Sequence, residues 1–293
     1  MKLIKFSPRG YIGAVVRDAR GAIGRVARDR AALAAIILIL LPWFSLFFLR
    51  SNTEWLSQIV GLVAVVFAFW WMSRSGSAAA PEVKHPRLEF LLAMSLVVFW
   101  IVWRIGICSK AFFFLPTGFK CYGSLEFETT PKVIALVIFP IIVLFAAGYR
   151  WRAQGIDLNL RAWWIALPAL LGMFGYGLYL NYNHLATYGQ NIVEFFFAAG
   201  LPEEVLFRAF LLTRLEAWWR NSGWALFAAS LIFGLTHLPI DYLFFTSHNW
   251  EETWISALTF QMGFGAVFAF AYQRTRNVWP IAVLHALVDA IVT

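Results

Sequence analysis

Apolar residues fill long segments of the chain, and short polar stretches that carry most of the charges separate these segments. A helix needs about 20 mainly apolar residues to cross the hydrocarbon core of a bilayer. The pattern predicts membrane-spanning helices at 31–49, 55–72, 88–103, 133–149, 163–180, 191–213, 224–238, 254–272 and 278–292. Because the third segment has a blurred end and the ninth is short, we predict an all-α fold, a polytopic transmembrane helical bundle of about eight to nine spans.

Composition indicates the same class of protein. Hydrophobic residues make up 61% of the 293 residues and charged residues only 14%, whereas a soluble domain has about 45–50% apolar and about 25% charged residues. The net charge of +8 would suit nucleic acid only if the basic residues were clustered on a folded surface. They lie instead between the hydrophobic segments and in a basic arm at residues 1–30. We therefore expect a lipid bilayer as partner and no nucleic acid.

The distribution of lysine and arginine predicts an orientation. With the amino terminus in the cytoplasm, most of the 24 basic residues fall on the inner side, as the positive-inside rule requires. The segments expected outside carry only Arg50, Arg104, Lys110, Lys120 and Lys132. We expect a multi-pass protein of the cytoplasmic (inner) membrane of a prokaryote.

Two features each leave two interpretations open. Cys108 and Cys121 both fall in the predicted outer loop 104–132, so they form a disulfide if the loop faces an oxidising compartment, or remain two unpaired thiols. The glycines at 172, 175 and 177 in the fifth segment either permit the close approach of another helix or only add flexibility.

Ionisable residues interrupt the sixth segment, in the stretch Gly200-Leu-Pro-Glu-Glu-Val-Leu-Phe-Arg-Ala-Phe210. Such groups are costly at membrane depth and usually pair or face a cavity. On a helix Glu204 and Arg208 lie at i and i+4, so we expect them to form an ion pair. Glu203 lies about 100° around the helix axis, and we expect its carboxylate to be left free for chemistry. The alternative is that the cluster is only a polar clamp between helices.

Two later segments add histidines. The seventh ends in Phe233-Gly-Leu-Thr-His237, and in the ninth His285-Ala-Leu-Val-Asp289 places His285 and Asp289 on one face. With Glu203 they provide a general base and two imidazoles that could orient water or stabilise an oxyanion. A zinc site formed by Glu203, His237 and His285 stays open, because two histidines and a carboxylate are a known ligand set. The chain contains neither a GxSxG nucleophile elbow nor an HExxH motif.

In these motifs the chain resembles the CAAX protease and bacteriocin-processing (CPBP, Abi) family of intramembrane glutamic endopeptidases. The family pattern is EExxxR, then FxxxH, then HxxxN or HxxxD, each on a hydrophobic helix. Here the three motifs begin at Glu203, Phe233 and His285, in that order. The resemblance covers 191–293 and implies a catalytic core there. From the hydrophobic pattern and the charges we expect accessory transmembrane helices at 31–190 and a basic cytoplasmic arm at 1–30.

The resemblance also implies roles for the residues of the motifs. The catalytic set would be Glu203, His237, His285 and Asp289, and the supporting set Glu204, Arg208 and Phe233. Glu203 would activate a water that His237 helps to position, while His285 and Asp289 would stabilise the oxyanion. The best understood members carry asparagine in place of Asp289, and an ionised aspartate cannot donate a hydrogen bond. Asp289 is therefore protonated, or orients His285, or helps to hold a metal.

We expect an endopeptidase that cleaves a membrane-associated protein or peptide near a terminal targeting, sorting or CAAX-like segment, without a cofactor. One alternative is a non-proteolytic bacteriocin-immunity or scaffold protein, and another is a transporter or proton relay. A relay should carry ionisable residues through several helices, whereas here they are concentrated in the last third of the chain. Since His237 and Asp289 fall toward the outer ends of their segments, we expect the cavity to open toward the outer leaflet.

Overall fold

The computed structural model describes residues 78–111, 129–150 and 159–292, together with positions 24, 29–31, 33–35, 37, 38, 71, 72 and 156. The predicted spans 31–49 and 55–72 and the basic arm 1–30 therefore lie almost wholly outside the described residues. Within the described part of the chain every regular element is helical, as the all-α prediction requires.

The described chain forms seven helical runs, labelled in chain order. They are α1 (Pro86–Cys108), α2 (Thr130–Ala146), α3 (Leu160–Leu180), α4 (185–219), α5 (Ser222–Phe245), α6 (Trp250–Thr275) and α7 (Trp279–Val292). Helices α1, α3, α5 and α6 are long and apolar enough to cross a membrane, and α2 and α7 are shorter apolar helices. The described residues thus support a membrane protein, while the number of eight to nine spans stays a prediction.

Wider π-helical turns interrupt four of these helices. They occupy Ile134–Ile138 in α2, Phe196–Gly200 and Val205–Leu212 in α4, Asp241–Phe245 in α5, and Ser256–Gln261 in α6. Such turns are rare and are often found at functional sites. The two π-helical turns of α4 flank the short α-helical stretch Leu201–Glu204, which carries both glutamates of the EExxxR motif.

Asparagine side chains begin three of the helices. The side-chain oxygens of Asn159, Asn221 and Asn249 accept hydrogen bonds from backbone N–H groups in the first turns of α3, α5 and α6, which satisfies donors that have no partner within the helix. Helices α4 and α6 end at Arg220 and Arg276, both in the left-handed conformation. These caps allow the short connections that keep α4, α5, α6 and α7 side by side.

The prediction of a loop over 104–132 is wrong at both ends. Helix α1 continues through Arg104 to Cys108, and α2 begins at Thr130, so Lys132 is a helical residue. Arginine and lysine near the end of a membrane helix are easily taken for loop residues, because their long side chains can reach toward water. Cys108 is disulfide-bonded, in agreement with the first interpretation of the cysteines, and Cys121 lies outside the described residues.

Helix α4 is the centre of the described bundle. It contacts each of the other six described helices, and every residue from 200 to 216 is buried, including the charged side chains of Glu203, Glu204, Arg208, Arg214 and Glu216. A Cβ atom on Gly200 would lie only 2.4 Å from the carbonyl oxygen of Ala282, so this glycine lets α7 pack against the backbone of α4. Of the glycines in α3, Gly177 lies against Tyr188 of α4, whereas Gly172 and Gly175 have no described atom within 4 Å of a Cβ position.

Ion pairs tie the helices together at one end of the bundle, here called the basal end, where α1, α3, α5 and α7 begin and α2, α4 and α6 end. Arg214 of α4 pairs with Glu89 of α1 at 2.9 Å, and Glu216 of α4 pairs with Arg276 at 2.5 Å. Tyr149, just after α2, donates to Glu89. Burial raises the pKa of the Tyr149 phenol, which keeps the hydroxyl protonated as a donor.

Candidate active site

The residues of the three motifs come together in the other half of the bundle, here called the site end. At this end α1, α5 and α7 finish and α2 and α6 begin. Glu203, Glu204, Arg208 and His285 are each at most 5% exposed. The sequence motifs, although separated by about 80 residues in the chain, therefore form one buried cluster of charged groups.

Glu204 is the anchor of this cluster. Its Oε1 atom lies 3.1 Å from Nη1 of Arg208, which confirms the predicted ion pair at i and i+4. The same oxygen lies 2.8 Å from Nδ1 of His285. Since a carboxylate only accepts, Nδ1 donates this hydrogen bond. The group that orients the His285 ring is thus Glu204, a residue that the motif pattern linked only to Arg208.

Glu203 is not left free, and the expectation that it would be is wrong. Nζ of Lys132 in α2 lies 2.6 Å from Oε1 of Glu203, and both side chains are buried. The other carboxylate oxygen, Oε2, is buried and has no hydrogen-bond partner among the described residues. It lies 3.9 Å from Nε2 of His285, a separation at which a water molecule can bridge two polar groups.

His237 lies on α5 beside the same cluster and is partly buried. Its Nδ1 atom is 2.8 Å from the carbonyl oxygen of Phe233, so Nδ1 donates and, in the neutral ring, Nε2 is left as an acceptor. His237 and Glu203 are close enough to interact electrostatically. The ring of Phe233 contacts both histidines, with centroid separations of 4.9 Å to His237 and 6.0 Å to His285.

Asp289 lies one turn beyond His285 on α7. Its Oδ2 atom is 3.6 Å from Nε2 of His285, an ion-pair distance rather than a hydrogen bond, and its side chain is 31% exposed. It also interacts electrostatically with Lys132 and with Arg104 of α1. Asp289 is therefore the most exposed carboxylate of the cluster, on the side of the site end. Its role in chemistry stays a prediction.

The described residues contain no group of three His, Cys, Asp or Glu side chains arranged to hold a metal ion. Glu203 already has a cation, the ammonium group of Lys132, on one of its oxygens. A zinc ion bound by Glu203 would have to share that carboxylate with Lys132. The prediction that no cofactor is needed stays open.

Two features of the site were missed by the sequence interpretation. The charge pattern predicts Lys132 in the outer loop, although Pro131 just before it is a signal for the first turn of a helix. The motifs predict no role for Gly200, although its close approach to Ala282 lets α7 pack against α4, where His285 contacts Glu204. No pattern in the sequence pairs Lys132 with Glu203, because they are 71 residues apart and on different helices.

Comparisons with known proteins agree with the motifs. Residues 187–291 match a family model described as type II CAAX prenyl endopeptidase Rce1-like. The comparisons with curated proteins and with solved structures gave no match. The match confirms the resemblance that the motifs predicted. Over residues 187–291, the segment that holds all the predicted site residues, the chain is therefore similar to the Rce1-like type II CAAX prenyl endopeptidases.

Proposed function

We propose that this protein is an intramembrane endopeptidase that uses Glu203 to activate a water molecule. Its substrate is a membrane-associated protein or peptide, cut near a terminal targeting, sorting or CAAX-like segment. The observation that carries the proposal is the difference between the contacts of the two oxygens of the Glu203 carboxylate. Lys132 pairs with Oε1, while Oε2 is buried, accepts no hydrogen bond from the described residues, and faces Nε2 of His285.

In the proposed reaction a water molecule between Glu203 and the histidines gives a proton to the carboxylate, and its oxygen adds to the carbonyl carbon of the scissile peptide bond. The carbonyl oxygen becomes an oxyanion, which hydrogen-bond donors in the site stabilise. The C–N bond then breaks, and the proton held by Glu203 passes to the leaving amine. The products are a new carboxyl group, which keeps the second hydrogen of the water, and a new amine, and Glu203 returns to its starting form.

The other residues prepare this reaction in the proposal. Glu204 fixes the ring of His285 through Nδ1, so that Nε2 points toward Glu203 and Asp289. The hydrogen bond from Nδ1 of His237 to Phe233 leaves its Nε2 as the atom that can accept a hydrogen bond from water. The proposal assigns no step to a metal, and metal analysis of the purified protein tests the zinc alternative.

The proposed site opens away from the cytoplasm. Basic residues are concentrated near the basal end, at positions such as Arg87, Arg150, Arg161 and Arg220, and positive residues favour the cytoplasmic side. Cys108, which is disulfide-bonded, ends α1 at the site end, and disulfides persist in oxidising compartments. Both observations support a substrate that the site reaches from the outer face.

The test compares the termini of membrane and secreted proteins in cells that carry either the wild-type protein or Glu203→Gln. The glutamine keeps the shape of the side chain but cannot take a proton from water. We expect one or a few proteins to keep their unprocessed terminus in the Glu203→Gln cells. The position of the missing cut would identify the substrate and the cleaved bond.

A matched control is Glu194→Gln, the same chemical change on the same helix at an exposed position. We expect it to leave all termini as in the wild type. If Glu203→Gln is folded and present at normal abundance and yet no terminus changes, the peptidase proposal is wrong. The immunity or scaffold function and the proton relay would then be tested next.

A further inference from the structure

Lys132 is buried near the end of a membrane helix, a position where lysine side chains are usually exposed. Its side chain is in the first turn of α2, at the site end, yet the residue is only 1% exposed. Lysines near the ends of membrane helices usually extend toward the interface, which keeps the ammonium group hydrated. Lys132 instead turns inward, onto Oε1 of Glu203 at 2.6 Å and over the ring of Trp100 at 4.9 Å.

Stability alone is a weak explanation for this arrangement. Moving two charges out of water costs free energy that their attraction only partly offsets, so a buried ion pair often stabilises a fold no more than apolar residues of the same volume. Glu203 also has no second anchor, because Oε2 accepts no hydrogen bond from the described residues. The ion pair with Lys132 is thus the contact that sets the direction of the carboxylate.

We propose that Lys132 is a positioning residue for Glu203. It holds Oε1 of the carboxylate, turns Oε2 toward His285 and the proposed water, and keeps Glu203 ready to accept a proton. This inference rests on the proposed function, but it assigns a part of the site to α2, outside the segment 187–291 that matches the family. It adds Lys132, a cation that the three motifs do not contain, to the residues of the site.

Other charged groups surround Glu203 and must be considered in any test that changes pH. They are Glu204 and Arg208 on its own helix, His285 and Asp289 on α7, His237 on α5, and Arg104 on α1, which interacts with His237 and Asp289. Lys132 lies nearer to Glu203 than His285 does, because its Nζ atom is 2.6 Å from Oε1 of Glu203, whereas Nε2 of His285 is 3.9 Å from Oε2. Removing Lys132 should therefore favour protonation of the Glu203 carboxylate more strongly than removal of a distant charge.

The test is infrared difference spectroscopy of the full-length purified protein as a function of pH. The band of a protonated Glu203 carboxyl group is obtained by subtracting the spectrum of Glu203→Gln, made in each variant background. We expect no such band in the wild type near neutral pH. In Lys132→Met we expect the band to be present at neutral pH, because an uncharged neighbour no longer favours the carboxylate.

Two further variants make this result specific. Lys132→Arg restores a cation and should return the titration toward that of the wild type, although its geometry differs. Lys110→Met removes an exposed lysine near the same end of the bundle and should leave the titration unchanged. If Lys132→Met does not fold, Lys132→Gln is measured in the same way. A titration of Glu203 that is unchanged in the folded Lys132 variants would overturn the inference.

A second readout uses a peptide that contains the cleavage site found by the comparison of termini. Lys132→Met should lower kcat about 100-fold or more, since proton transfer by a positioned base contributes about 10²–10⁴-fold. KM should change little, and Lys132→Arg should recover part of kcat. An equal loss in Lys132→Arg and Lys132→Met would contradict the inference. If no substrate exists, the proposed function fails, and the infrared titration still decides the role of Lys132.

Discussion

Arg208 shows how much of the site depends on a single side chain. The residue is 2% exposed, and Nη1 lies 3.1 Å from Oε1 of Glu204. Nη2 donates to the carbonyl oxygen of Gly265 at 3.3 Å, and the guanidinium carbon lies 4.4 Å and 5.3 Å from the ring centroids of Phe233 and Phe268. Arg208 therefore links α4 to α5 and α6 while it balances the charge of Glu204.

We expect Arg208→Met to lower the free energy of unfolding by about 3–5 kcal/mol, because it leaves the buried Glu204 carboxylate without its cation. Thermal and denaturant unfolding in one detergent would measure the loss. The double variant Arg208→Met with Glu204→Gln should recover much of it, since the orphaned charge is gone. The control Arg161→Met changes an exposed arginine and should stay within about 0.5 kcal/mol of the wild type. A loss for Arg208→Met as small as that of the control would contradict the ion-pair argument.

The ion pair of Glu204 with Arg208 could be predicted from the sequence, whereas the pair of Glu203 with Lys132 could not. Residues at i and i+4 on a helix are neighbours whatever the rest of the fold does. The contact between Glu203 and Lys132 depends on how α2 packs against α4, and no local rule sets that. A lysine next to an apolar segment is typical of a loop on either side of a membrane, so Lys132 on its own predicts topology and not a contact in the site.

At the scale of the helices, the site depends on a close approach between α4 and α7. Gly200 lies one turn before Glu204, and Ala282 lies about one turn before His285. Since a Cβ atom at 200 would be 2.4 Å from the carbonyl oxygen of Ala282, the contact of these two backbones needs a glycine. The spacing of one turn on each helix then brings the Glu204 carboxylate to Nδ1 of His285.

We expect Gly200→Ala to push α7 away from α4 and to weaken the hydrogen bond between Glu204 and His285. Overpacking of this kind costs about 1–3 kcal/mol, so unfolding measurements should show a loss of that size together with lower proteolytic activity. Gly189→Ala is the matched control on the same helix, because no described atom lies within 4 Å of a Cβ at position 189. Because alanine has a higher helix propensity than glycine, the free energy of unfolding of Gly189→Ala should equal that of the wild type or exceed it by up to about 1 kcal/mol. Equal effects of the two substitutions would show that the close approach is unimportant.

The hydrophobic pattern predicted the described helices well but not their ends. The apolar segments 163–180, 224–238, 254–272 and 278–292 each fall within or nearly within one observed helix. The observed ends differ from the predicted ends because a helix can continue through polar residues whose side chains are paired. Arg214 and Glu216, in the last turns of α4, are paired in this way. The π-helical turns beside Glu203 also had no signal in the sequence, since they arise from packing around the site rather than from local propensity.

For the molecule as a whole, the two ends of the bundle differ in chemistry. The basal end holds the ion pairs of Glu89 with Arg214 and of Glu216 with Arg276, together with most of the exposed arginines in the described part of the chain. The site end holds Glu203, His285 and Asp289 and the disulfide-bonded Cys108. The positive-inside rule and the disulfide both favour the proposed orientation, with the basal end in the cytoplasm and the site end outside.

Cysteine labelling of intact cells tests this orientation with two matched positions. Arg161 at the start of α3 and Glu251 at the start of α6 are both exposed, and the side chain of an asparagine two residues earlier caps each backbone N–H. They lie at opposite ends of the bundle, so a membrane-impermeant maleimide should label Glu251→Cys and not Arg161→Cys, each measured against the wild-type chain as the blank. After permeabilisation both should react, which shows that each thiol is accessible. Labelling of Arg161→Cys alone in intact cells would place the site on the cytoplasmic side. Cytoplasmic CAAX-type proteins would then be the expected substrates, and the Glu203 chemistry would be tested on these proteins instead of on exported proteins.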